Sequence, residues 1–152
     1  MIKYSTNLFQ FIFFILVILT FSFPANSELS VEEIIKGRKA LFSKNYSTAK
    51  KVQMFVSKGD YEKAKNLMVE MSENYKSLIR YFPENTKEGF KTEALPIIWE
   101  DKENFDNLMN KASIDMIKLT TVIESSEDIK GTLAKFMWRN CKTCHTKYRE
   151  EH

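Results

Sequence analysis

The stretch Cys141-Lys142-Thr143-Cys144-His145, close to the C-terminus, is the most informative part of the sequence. Its two cysteines, the only ones in the sequence, are three positions apart, so on a helix they lie on the same side. C-x-x-C-H is the attachment signature of a c-type haem. Each thiol can form a thioether with one porphyrin vinyl group, and the adjacent imidazole can bind the iron. We therefore predict one covalent haem c per chain, attached through Cys141 and Cys144, with His145 as axial ligand.

Two other interpretations of the cysteine pair have to be weighed. A thioredoxin-like redox site needs a βαβ setting, and the sequence contains no convincing strand pattern. A structural zinc site needs four ligands, but the chain has only two cysteines and two histidines, one of them the final residue. A thiol-disulfide oxidoreductase without porphyrin remains the alternative of a different functional class.

The N-terminus has the features of an export signal. Lys3 precedes an apolar run over residues 8–23, and Pro24-Ala25-Asn26-Ser27 ends in small residues, as at a signal-peptidase site. The run is shorter than the ~20 residues of a membrane span, so cleavage is favoured over a retained anchor. We predict a signal peptide over residues 1–27, a mature domain over residues 28–152 and a periplasmic location.

Charge and composition exclude several classes of function. The whole chain carries a formal net charge of +3, too mild to indicate nucleic-acid binding, and its lysines and glutamates are mixed, as on solvated helix faces. No acid–base pair or nucleophile constellation indicates a hydrolase or transferase. We therefore expect a non-enzymatic protein with one domain and a real core.

Helix signals mark the first half of the mature chain. Ser30 and Glu33 form a capping box that opens helix 1. Gly59 suits the left-handed position at its end, and Asp60 can cap helix 2. Pro83 ends helix 2.

The second half follows the same pattern after a long connection over residues 83–98. Helix 3 is predicted from near Glu100 to about Ser125, and a turn over residues 125–128 leads into helix 4, which carries the haem motif. The methionines fall at core spacing and are expected to pack rather than to bind iron. The predicted fold is all-α, an antiparallel four-helix bundle preceded by a cleaved signal peptide.

Three stretches resemble the class II cytochromes c, the cytochrome c′ and cytochrome c556 group. They are residues 35–42 (IKGRKALF), 94–101 (ALPIIWED) and 141–149 (CKTCHTKYR). The resemblance implies that His145 is the proximal ligand and that Arg149 lies beside it. It also implies that Arg38 approaches a haem propionate, for which a guanidinium is well suited.

The resemblance also bears on the sixth ligand of the iron. Low-spin members carry a ligating methionine where this chain has Phe42, and high-spin members carry an apolar residue there. Phe42 therefore predicts an apolar distal face and a five-coordinate, high-spin iron that binds nitric oxide or carbon monoxide. One-electron transfer is expected as well, and a low-spin c556-like electron carrier remains the alternative.

Partner proteins are predicted less specifically. One-electron transfer implies redox partner proteins, and many members of the resembled group form homodimers through their first two helices. Met54, Phe55, Met68 and Tyr75 could supply such a surface or could belong to the core.

Overall fold

Helix α1 (Val31–Ser57) begins at the capping box predicted from the sequence. The Ser30 hydroxyl accepts a hydrogen bond from the Glu33 N–H at 3.3 Å, and the Glu33 carboxylate accepts one from the Ser30 N–H at 2.8 Å. At the far end, Gly59 has a φ of 75° and Asp60 caps the next helix. The computed structural model describes residues 28–151, so the predicted signal peptide lies outside the described residues.

The middle of the chain contains one further long helix on each side of an irregular connection. Helix α2 (Tyr61–Leu78) is followed by a 3₁₀ turn that ends at Tyr81, one residue before Phe82, as Pro83 predicts. The connection contains a second 3₁₀ turn and a short helix, and the predicted start of helix 3 is two residues early because Asp101 leaves the helical conformation (φ −120°, ψ 40°). The elements are α2 (Tyr61–Leu78), 3₁₀ turns Ile79–Tyr81 and Glu84–Thr86, α3 (Ile97–Glu100) and α4 (Lys102–Val122).

The last rod of the bundle is a helix with a π turn inside it. It consists of α5 (Ile129–Leu133), the π turn Ala134–Trp138 and α6 (Arg139–Tyr148). In the π turn the Arg139 N–H donates to the Ala134 carbonyl, five residues back. Such turns are frequent at functional sites, and this one immediately precedes the C-x-x-C-H motif.

Four rods, α1, α2, α4 and the α5–α6 segment, form the predicted four-helix bundle, and within residues 28–151 the only β-type pairing is an isolated bridge between Ala94 and Arg149. Their shared core is rich in methionine, as expected from the spacing. For Met68 and Tyr75 the sequence left both a dimer surface and the core open, and the structure buries both in this core. Met54 is exposed and Phe55 half-buried. Among residues 28–151, no helix combines the length and apolarity that crossing a membrane requires.

Candidate haem site

A cavity of about 670 Å³ opens between α1 and α6, within the range of about 300–1,000 Å³ that is usual for ligand and cofactor sites. We call it the α1–α6 cavity. It is lined by all six site residues predicted from the sequence: Arg38, Phe42, Cys141, Cys144, His145 and Arg149. Residues that are more than a hundred positions apart in the chain therefore meet in one place.

The two thiols are free and lie on α6. Burial raises the pKa of Cys141, and it raises the pKa of Cys144 to about 12. Reactive dithiols have lowered pKa values, because the thiolate is the nucleophile. The surroundings of these cysteines therefore do not favour thiol-disulfide exchange. The Tyr75 hydroxyl lies 3.8 Å from the Cys141 sulfur.

His145 is half-buried on α6, and the ring of Phe42 on α1 lies edge-on to it. The two ring centroids are 6.4 Å apart at an interplanar angle of 67°. Burial and the charge of Arg149 lower the pKa of His145. Both effects favour the neutral imidazole, which is the form that binds a metal.

Arg38 brings a buried positive charge to the cavity wall. Only 2% of it is exposed, and its guanidinium donates to four neutral oxygens of Tyr81, Thr86 and Thr92. The guanidinium carbon also lies 4.8 Å from the Phe82 ring centroid. Burial lowers the pKa of Arg38 to about 10. A carboxylate entering the cavity would find a desolvated cation there.

Arg149 lies one residue beyond the end of α6, in extended backbone (φ −127°, ψ 145°). Its N–H still bonds to the His145 carbonyl at 3.3 Å, and its bridge to Ala94 ties this end of α6 to the long connection. Its side-chain Nε is buried and has no hydrogen-bond partner among residues 28–151.

The family described as Cytochrome C′ matches residues 33–149, which include both walls of the cavity. The chain belongs to the cytochrome c′ family. Its members are class II c-type cytochromes, haem c proteins that act as electron carriers or gas-binding proteins rather than as classical enzymes.

Known cytochromes c′ resemble the chain over most of their length. The cytochrome c′ of Rhodopseudomonas palustris (strain ATCC BAA-98 / CGA009) is 28% identical over 120 residues, covering 77% of this chain and 82% of that protein. A crystal structure of a mutant of the R. palustris protein has a TM-score of 0.69 at 27% identity and covers 78% of this chain and 98% of its own.

A third relative shares the fold at lower identity. It is a ferrous variant of cytochrome c prime from Alcaligenes xylosoxidans with bound NO. Its TM-score is 0.69 at 18% identity, and the match covers 83% of this chain and 100% of that one.

The residues of this cytochrome c′ site fit a haem c. Two thiols one helical turn apart suit the two vinyl groups, and a neutral imidazole suits the iron. The buried Arg38 guanidinium suits a propionate, and the cavity has the volume of a cofactor site. Each part of the cofactor has a chemically matching group in the cavity wall.

Sequence reasoning missed two polar residues in this site. Asn45 and Tyr75 are both buried and both line the α1–α6 cavity. The wall around Phe42 is therefore less apolar than expected. Asn45 could have been found, because it lies three residues after Phe42 on the buried stripe of α1. Tyr75 could not, because only the packing of α2 against α6 places it beside Cys141.

Proposed function

We propose that this cytochrome c′ is a periplasmic protein that holds one haem c per chain through Cys141 and Cys144. His145 binds the iron, the opposite axial position stays open for nitric oxide or carbon monoxide, and the protein passes single electrons to and from redox partner proteins. When bound, the haem supplies an iron centre that takes a diatomic ligand and changes oxidation state by one electron.

The observation that carries this proposal is the pairing of Phe42 with His145. A phenyl ring has no lone pair for iron, and this ring faces the imidazole at 6.4 Å between centroids. In the haem-containing protein this side chain would lie beside the iron without being able to ligate it. The A. xylosoxidans relative with bound NO supports the choice of ligand.

The other residues bind and orient the cofactor. Arg38 holds a propionate carboxylate in a site shielded from water, where such a pair is strong once formed. Burial and then the charge of Arg149 lower the pKa of His145, and Arg149 lines the cavity together with its bridge partner Ala94. The two thioethers fix the haem edge on α6.

A second candidate function is the low-spin electron carrier, and one residue favours it. Met109 on α4 is buried and lines the α1–α6 cavity. Its thioether is a ligand type that cytochromes use to raise the reduction potential. Met109 stands on α4, however, whereas Phe42 on α1 is the side chain that faces His145.

Absorption spectra of the ferric and ferrous protein, produced with a c-type haem maturation system, test the proposal. We expect a high-spin ferrous spectrum that changes when nitric oxide is added. Phe42→Met should convert it to a sharp low-spin spectrum, and Phe42→Leu should leave it high-spin. A low-spin wild type that becomes high-spin in Met109→Leu would instead establish the electron carrier. Mass spectrometry of the exported protein should give a haem adduct on a chain that begins at Glu28.

A further inference from the structure

Charge is mixed over the chain as a whole but not over each helix. Residues 34–59, which comprise most of α1 and the turn after it, contain seven lysines or arginines, and residues 129–149, from the start of α5 to the residue after α6, contain six. Neither stretch contains an aspartate or a glutamate. By contrast, α2 and α4 each carry three basic and three acidic residues. The two rods that flank the α1–α6 cavity are therefore the basic ones.

Ion pairing follows the same division. On α2 and α4, lysines pair with carboxylates of their own helix: Lys76 with Glu73, Lys102 with Asp106 and Lys111 with Asp115. On the two basic rods, Lys50, Arg139 and Lys142 are exposed and take part in no ion pair within residues 28–151. Because no carboxylate of the protein neutralises them, these three cations present a positive field to solvent.

Two aromatic side chains lie beside these cations at the opening of the cavity. Tyr46 on α1 and Trp138 at the end of the π turn both line the α1–α6 cavity, and their ring centroids are 6.3 Å apart. Tyr46 is 58% exposed, and Lys50 Nζ lies 4.5 Å from its ring centroid. Arg139 directly follows Trp138, and Lys142 lies one helical turn after Trp138. We call these five residues the basic patch.

Aromatic residues bordered by exposed charge are characteristic of protein–protein interfaces. The positive sign of the border favours an acidic partner, and a second copy of the chain would bring the same positive charges against it. A lipid surface fits less well, because interfacial helices bury a wide apolar face. The exposed positions of α6 are all polar: Arg139, Lys142, Thr143, Thr146 and Lys147.

We propose that the basic patch docks an acidic redox protein, so that single electrons enter and leave the haem at this opening of the cavity. This inference rests on the proposed electron-transfer function and adds the charge of the partner and the surface that it contacts. Positive charge at the patch speeds the encounter with an acidic partner and orients it over the cavity, and salt screens both effects. Electron transfer with such a partner therefore slows as the ionic strength rises.

Stopped-flow reduction of the ferric haem protein by a reduced plant-type ferredoxin, an acidic protein of low reduction potential, tests this proposal. The second-order rate constant should fall about tenfold from low to high salt. Lys50→Gln/Lys142→Gln should react about three- to fivefold more slowly than wild type at low salt and equally fast at high salt. Lys76→Gln/Lys118→Gln is the matched control: it removes the same charge from exposed positions on α2 and α4 and should stay within about twofold of wild type.

Cross-linking gives a second measurement, on the unaltered protein. A carbodiimide joins lysine amines to carboxylates in contact, so mass spectrometry should find the ferredoxin linked to Lys50 and Lys142 and not to Lys76 or Lys118. The reduction potential should be the same in both double variants, so that a change in rate reports docking.

Three results would overturn the docking surface and leave one-electron transfer intact. They are equal rates in the two double variants, cross-links spread evenly over the four lysines, and binding to phosphatidylglycerol vesicles that Lys50→Gln/Lys142→Gln abolishes while its ferredoxin kinetics stay unchanged. The last would assign the patch to a membrane. A chain that carries no haem, or whose haem dithionite cannot reduce, overturns the proposed function and this inference with it.

Discussion

The bundle core has two parts that differ in the side chains they bury. One is the seam between α2 and α4, and the other is the α1–α6 cavity. The seam is closed by apolar side chains that are 0% exposed: Met68, Met71, Met116 and Leu119. The cavity is lined by two thiols, an imidazole and a buried guanidinium beside apolar side chains such as Phe105 and Met109.

The difference shows which part of the core the chain completes by itself. Apolar groups in the seam satisfy each other through burial alone. On the cavity side, the buried charge of Arg38 has only neutral oxygens as hydrogen-bond partners, and a carboxylate in the cavity would offset more of its desolvation penalty. The bundle should therefore depend on the seam for folding and on the haem for the integrity of the α1–α6 side.

The largest expected effect comes from removing both attachment residues. Cys141→Ala/Cys144→Ala should carry no covalent haem and should lose more free energy of unfolding than Met116→Ala, for which a cavity in the seam costs about 2–5 kcal/mol. Met116→Ala should keep its haem and its spectrum. Mass spectrometry measures the covalent haem, and guanidinium unfolding measures the free energy of unfolding. Equal stability of the double variant and the wild type would contradict a core completed by the cofactor.

An intermediate effect, which depends on the haem, is expected at Arg38. In the haem-containing protein Arg38→Met should cost about 3–5 kcal/mol, because the propionate loses its buried partner. In the Cys141→Ala/Cys144→Ala background the same change should cost less, because the propionate is already absent and only the four hydrogen bonds to neutral oxygens are lost. Guanidinium unfolding of the wild type, Arg38→Met, the double cysteine variant and their combination gives the coupling free energy between Arg38 and the haem. Lys39→Met, an exposed neighbour, should stay within about 0.5 kcal/mol in both backgrounds, and the comparison fails if Arg38 behaves like Lys39.

The smallest effect is expected at the anchor that holds the end of α6. Asp101 accepts hydrogen bonds from Lys147 and Tyr148. The Lys147 bond, followed by those of Tyr148 and Asn104, lowers the pKa of Asp101 to about 2. A carboxyl whose pKa is lower in the folded state adds stability above its unfolded value near ~4, and this stability is lost as the pH falls towards 2.

Asp101→Asn should therefore lower the thermal midpoint slightly at pH 6, and the difference from wild type should vanish between pH 4 and pH 2. Asp106→Asn, which removes an ion pair within α4 alone, is the control. The haem spectrum should not change in either variant. A difference that persists at pH 2 would mean that Asp101 acts through packing rather than through its charge.

Much of the fold could be predicted from signals that lie within a few neighbouring residues. The capping box at Ser30, the glycine turn before Asp60 and the helix stop at Pro83 act over three or four residues, so the sequence displays them directly. The π turn before Asn140 was not predicted. No pattern in residues 134–138 indicates a π turn. Asn140 donates a hydrogen bond to Asp115, and this contact forms only when α4 packs against the last helix.

The sequence alone predicts haem attachment at Cys141 and Cys144 and the ligand His145, and it predicted the four-helix bundle that the structure confirms, because motif spacing and helix periodicity are properties of neighbouring residues. Only the tertiary structure brought Phe42 opposite His145, buried Arg38 among neutral oxygens and left Asn45 with an unused donor. These features depend on which side chains from distant helices come into contact and which polar groups are left without a partner. Such unmet hydrogen bonds exist only when the whole bundle is assembled.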